Sequence, residues 1–225
     1  MLNVENRMQT YKKRKRVKGL AVKDCHALFA SETLEKMSDK EKKATFADKD
    51  VLMIGYAGLA GTVQIAEKKQ QELLSRYPLF FIEQAILQKA LLQEIPEAAT
   101  AMMSGECGIL KLSEGGVYQG LWYISELTGV GLEIECKKIP IKQETVEICE
   151  FFQLNPYELL SGGSMIMITD NGEALVETLA QANIPATVVG KITEGHDRVV
   201  TNEEETRFLD RPRTDEIYKM EELWK

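Results

Sequence analysis

Histidine is nearly absent: His26 and His196 are the two in 225 residues. A protein-bound zinc draws on several thiolate or imidazole ligands at close spacing. The four cysteines, Cys25, Cys107, Cys136 and Cys149, form no C-x-x-C pair. No metal site is therefore expected, and the cysteines read as reduced thiols of a cytoplasmic protein. Long apolar runs are missing too. Those present, such as Ser164 to Thr169, fall far short of the roughly 20 residues a membrane span needs. The basic residues near the N-terminus are not followed by an apolar stretch, so no secretory signal is read there. No internal repeat stands out.

What is present suits a folded domain. The chain is 44% hydrophobic and 28% charged, an ordinary globular balance, and is long enough for one α/β domain with an appendage. Charge is unevenly spread. Residues 1–23 hold eight Lys and Arg against Glu5, while the whole chain carries −7, so a basic arm precedes an acidic body. The arm's densest part is Tyr11 to Lys18, YKKRKRVK. A solvated tail is the commonest meaning of such a run and a phosphate-backbone contact the next. Because Tyr11 is the run's single aromatic, nucleic acid is not an expected partner, nor is a membrane.

Three segments are expected: residues 1–50 as a basic extension, partly helical around Ala27, Leu28 and Leu34; residues 51–218 as the domain; and residues 219–225 as a tail. Within the domain, strands are predicted at Val51–Tyr56, Glu106–Leu112, Leu132–Cys136, Ser164–Thr169, Ala186–Ile192 and Arg198–Thr201. Helices are predicted over Ile65–Tyr77, Phe80–Glu94, Val117–Thr128 (preceded by Gly115 and Gly116), Glu144–Phe152 and Glu173–Asn183. Pro78 and Pro96 break the early pair, and Asn155-Pro156 marks a turn. This alternation predicts an α/β (α+β) fold, a layered mixed sheet flanked by helices.

The sharpest local feature is Ser113-Glu114-Gly115-Gly116, directly after a strand and opening a helix. Free N–H groups and partial positive charge at a helix start suit a phosphate or carboxylate. The alternative is a plain helix cap by Ser113, with glycines for tight packing. Gly162-Gly163-Ser164 is a second glycine turn, either a tight loop at a strand start or a loop lying against the same ligand. Trp122 and Tyr123 fall mid-helix and read as core or interface. His196-Asp197 are sequence neighbours in a turn-like stretch and do not make a general-base pair. No nucleophile–base arrangement is legible, so the catalytic residues stay unassigned.

Several stretches resemble one known family. Leu112 to Glu135, LSEGGVYQGLWYISELTGVGLEIE, is similar to the D-x-T-x-G-G motif helix and following strand of the aminoimidazole-ribonucleotide (AIR) synthetase superfamily. Lys138–Ile168 and Ile184–Val200 resemble the rest of its C-terminal domain. Ala47 to Thr62 resembles the segment joining the superfamily's two halves, and RPRTDEIYK (Arg211 to Lys219) the tail of its hydrogenase-maturation (HypE-type) branch.

The resemblance implies two-half enzymes that use ATP and magnesium to activate an oxygen by phosphorylation. The N-terminal half supplies most metal-binding aspartates and the dimer contact, and the C-terminal half closes over the nucleotide. Carried over, the motif makes Lys111, Ser113, Glu114, Gly115 and Gly116, with Gly162, Gly163 and Ser164, the candidate phosphate-binding set. This chain departs from the pattern in three ways. The motif aspartate is Lys111, a cation able to meet a phosphate but not magnesium. No carboxylate cluster for a magnesium–triphosphate site is seen. The last cysteine is Cys149, whereas the branch's own chemistry uses a C-terminal one. The expected function is a ligand-binding or assembly module that has lost the ATP chemistry. The alternative is an ATP-dependent enzyme completed by a partner supplying the other half. ATP and magnesium enter only through the resemblance, and a homodimer or protein partner is expected over the face the other half would cover.

Overall fold

The structure is a computed structural model describing residues 36–95, 108–203, 205–211 and 214–221. The basic run, most of the 23–37 helical spacing, Cys25, His26 and Cys107 lie outside the described residues. The elements are α1 (Asp39–Phe46), β1 (Asp50–Ile54), α2 (Leu59–Lys68), α3 (Gln70–Leu73), α4 (Leu79–Leu87), β2 (Gly108–Lys111), α5 (Gly116–Thr128), β3 (Gly131–Glu135), α6 (Gln143–Phe152), β4 (Met165–Thr169), α7 (Gly172–Gln181), β5 (Ala186–Thr193), β6 (Arg198–Asn202), β7 (Glu205–Phe208) and α8 (Ile217–Glu221).

All seven strands join one sheet in the order β2-β4-β1-β5-β3-β6-β7. Every neighbouring pair is antiparallel except β3 with β6. The sheet is mixed and flanked by helices, the α/β architecture expected from the sequence. β1 and β4 read as continuous apolar runs because both faces are covered. Along β1, Val51 and Met53 point to one core with Ile166, Ile168 and the α5 residues Val117, Leu121 and Ile124. Leu52 and Ile54 point to the other, with Met165, Met167 and Leu179 of α7. Burying each such side chain contributes roughly 1.5–3 kcal/mol. A register shift between Val51 and Leu52 bends the β1–β5 ladder beside Gly190, where a Cβ would meet the Glu133 carbonyl oxygen at 2.0 Å.

A third core contains no strand residue. It gathers Ile65, Leu73, Ile82, Ala85, Ile148, Cys149, Leu159, Ile217 and Met220 from α2, α3, α4, α6, α8 and the loop after α6. The glycine turns lie where this helical layer meets the sheet.

Some elements differ from expectation. The helix placed at 65–77 begins at Leu59, because Gly58 takes a left-handed turn (φ 67°) against Thr145, Pro156 and Leu159. The charged stretch before β1 forms α1, started by a Ser38–Glu41 capping box and ended by a fully buried Phe46. β7 was not foreseen: its four residues are all exposed, so no apolar alternation marks it.

Candidate functional site

β2 delivers the chain into Ser113-Glu114-Gly115-Gly116, and α5 starts at Gly116. Ser113 is not the helix cap. Gly115 is, with φ 80°, and no side chain of its own can accept from the first turn. Gly116 also has positive φ (64°), and a Cβ there would meet the Tyr157 carbonyl oxygen at 2.4 Å. Backbone therefore presses on backbone here, and only glycine fits. The Ser113 carbonyl accepts N–H bonds from Gly116 (3.3 Å) and Ser161 (3.1 Å), tying the turn to the second glycine loop.

The anion position at this turn is filled from within. Asp215, 1% exposed, accepts the Gly115 N–H at 2.6 Å through Oδ2. Its Oδ1 accepts from Leu160 (3.1 Å) and Ile217 (2.8 Å). One carboxylate thus serves the glycine turn, the loop after α6 and the start of α8. Burial pushes its carboxyl up to about 6, against the three N–H groups that pull it down, with Glu114 adding to the upward push. The next residue, Glu216, accepts from the Asn155 N–H (3.1 Å) and pairs with Lys219 (2.6 Å). Ile217 and Met220 then enter the helical core. The stretch from Asp215 to Met220 is a docked strap, held by two acids and two apolar side chains.

The second turn lies alongside. The Leu112 N–H donates to the Ser164 carbonyl at 2.8 Å, so Lys111–Gly116 and Gly162–Ser164 are brought together. Ser164 is buried, and its hydroxyl accepts from the Tyr56 N–H (3.0 Å) and donates to the Tyr56 carbonyl (2.7 Å). Gly163 (φ 88°) leaves no room for a Cβ beside Leu92. Lys111 and Ser113 are exposed, and Glu114 and Gly162 half-buried. Among the described residues no three His, Cys, Asp or Glu gather as metal ligands.

Two groupings were not read from the sequence. Asp215 lies 100 residues from Gly115, and short-range motif spacing cannot report such a contact. The other surrounds Cys136, just after β3. Its sulfur lies 3.2 Å from the Tyr118 hydroxyl, which also accepts from the Arg207 guanidinium at 2.7 Å. Tyr157 stacks on Tyr118 with ring centres 5.2 Å apart. Burial and the neighbouring sulfur raise the Tyr118 phenol. Cys149, by contrast, is enclosed in the helical core and pushed up to about 12, first by burial and then by Glu216. Trp122 and Tyr123 pack on the sheet core, and Arg198 lies 3.9 Å over the Trp122 ring. His196 and Asp197 sit exposed in the β5–β6 turn.

A sheet of this order, with glycine turns opening α2 and α5, defines a known class of domain. The family described as "AIR synthase related protein, C-terminal domain" matches residues 50–202. The chain belongs to that family. Among named relatives, "Carbamoyl dehydratase HypE" of Rhodobacter capsulatus is 32% identical over 89 residues, 38% of this chain and 26% of that protein. The fold is shared with E. coli HypE, at TM-score 0.59 and 17% identity, covering 77% of this chain and 53% of that one. A HypE solved in complex with ATP gives 0.56 and 16%, covering 80% and 56%. The HypE–HypF complex gives 0.54 and 22%, covering 74% and 53%. The chain thus spans about half the length of these solved relatives and about a quarter of the curated one. No helix among the described residues is long and apolar enough to cross a membrane.

Proposed function

We propose that this protein is a ligand-binding or assembly module of the AIR synthase-related, HypE-like group, with the ATP chemistry of the superfamily lost. One observation carries the reading: the Gly115 N–H, the donor best placed for a phosphate at the motif turn, is given to the buried carboxylate of Asp215. Lys111, where the motif has an aspartate, supports it, since a cation does not ligate magnesium. The module comprises residues 51–218, its solvent-accessible candidate contacts being the exposed Lys111 and Ser113 and the half-buried Glu114 and Gly162. A HypE has been solved in complex with HypF, and a protein partner or second copy is the corresponding occupant here, in a cytoplasmic setting.

The test is thermal unfolding of the purified chain with ATP and magnesium. A ligand that binds only the folded state adds about 2.7 kcal/mol at 100 times its Kd. No shift is expected at about 100 times a micromolar Kd. A magnesium-dependent rise would overturn the proposal and favour an ATP-dependent enzyme completed by a partner.

A further inference from the structure

The two edges of the sheet differ. β2 is buried at three of its four positions, whereas β7 is exposed at all four. Phe208, on β7, is 69% exposed, more than any other large apolar side chain described. Open edges are commonly blunted by a proline, a bulge or a cover. β7 has none of these, and its register with β6 runs unbroken from Asn202–Glu205 to Val199–Phe208.

The backbone fixes what this edge offers. The Leu209 N–H donates to the Arg198 carbonyl at 2.7 Å. Bonded pairs alternate along an antiparallel ladder, so Arg207 and Glu205 also turn their N–H and C=O groups towards β6. Those of Thr206 and Phe208 point outwards, and a further strand would bond to them. Side chains alternate as well. Arg207 reaches the Tyr118 hydroxyl on the α5 side of the sheet, and Glu205 shares that face. Neither makes an ion pair among the described residues. A guanidinium carries five N–H donors, so the bond to Tyr118 leaves others for a carboxylate.

We infer that β7 is a docking edge for a second copy of this chain, the two strands pairing antiparallel about a two-fold axis through Thr206. In that register Thr206 exchanges both backbone bonds with Thr206 of the second copy. Glu205 stands opposite Arg207 of the second copy, and the symmetry repeats the pair. Both pairs fall at non-hydrogen-bonded positions, where facing side chains are closest. Phe208 meets Thr206 of the second copy on the diagonal. Charge selects the register and the occupant together. A slip of two residues sets Arg207 against Arg207 or Glu205 against Glu205. A slip of one sets outward backbone groups against inward ones. The contact is small and belongs among the weak, reversible interfaces. It goes beyond the module role proposed above and holds whether or not ATP binds.

Sedimentation equilibrium of the full chain, in a series reaching about 0.2 mM, reads the mass. A dimer of 25.4 kDa chains is expected, weakening as salt rises. Thr206→Pro removes an N–H that β6 does not use, and deleting the two reciprocal bonds raises the dimer Kd on the order of ten- to a hundredfold. Glu205→Arg and Arg207→Glu each set like charges opposite and weaken the dimer about tenfold. Mixed in equal amounts, those two variants associate again, because each strand then meets its opposite. Circular dichroism checks that each variant is folded. A monomer throughout the series would overturn the inference. So would a dimer unchanged in folded Thr206→Pro and Glu205→Arg, which would move the contact to another surface, such as the exposed Leu79 and Phe80 of α4. Folded charge variants that stay apart when mixed would overturn it too.

Discussion

Asp215→Asn exchanges one oxygen for an amide and removes one charge. Oδ1 keeps its bonds from Leu160 and Ile217. At the other position an NH2 would face the Gly115 N–H now 2.6 Å from Oδ2, donor against donor. Losing that charge-assisted bond costs about 1.5–3 kcal/mol. The loss is offset at neutral pH, because the native carboxylate is ionised against its surroundings. Its pKa is raised from 3.8 to about 6, and each unit is worth 1.36 kcal/mol, so burying the charge costs about 3 kcal/mol above pH 6. The folded state therefore binds the proton more tightly than the unfolded one between about pH 4 and 6. Stability from this group falls as pH rises through that window and is level beyond it. Urea unfolding of parent and variant from pH 4 to 7.5 measures the difference directly, since the other titrations largely cancel. The parent's advantage over Asp215→Asn should shrink by up to about 3 kcal/mol between pH 4 and 6. An advantage that grows with pH would refute the reasoning, showing that the three N–H groups outweigh burial.

Two further substitutions probe the packing, both read by urea unfolding. Gly116→Ala sets a methyl 2.4 Å from the Tyr157 carbonyl oxygen at positive φ and should cost on the order of 2–4 kcal/mol, whereas an unchanged midpoint would mean the loop moves aside. Phe46→Ala should cost about 3–5 kcal/mol if α1 is part of the sheet core, and under 1 kcal/mol if the segment before β1 is only an appendage.

The parts legible in the sequence are those set by local pattern. β1 and β4 were visible as bounded apolar runs, and α5 and α7 through their buried stripes at Leu121, Ile124 and Leu179. α1 was hidden because its first turns are charged and its single anchor, Phe46, comes last. β7 was hidden because an edge strand exposed on all four residues needs no apolar alternation. At the site, the glycines marked where backbone approaches backbone. They did not show what fills the space. The helix cap is Gly115 rather than Ser113, with its N–H taken by Asp215 from 100 positions away, and Cys136 meets Tyr118, 18 positions earlier, whose hydroxyl accepts from Arg207, 89 positions further on.

The strand order has a consequence for how the chain is made. β1 is synthesised before every other described strand, yet its neighbours are β4 and β5, reached only at residues 165–169 and 186–193. At roughly 5–20 residues per second, Val51 to Ile54 wait on the order of ten seconds with both backbone edges open. The sheet therefore cannot grow outward from an early hairpin. A chain cut before residue 186 keeps the apolar β1 without one of its two neighbours, the condition under which unpaired edges join other chains.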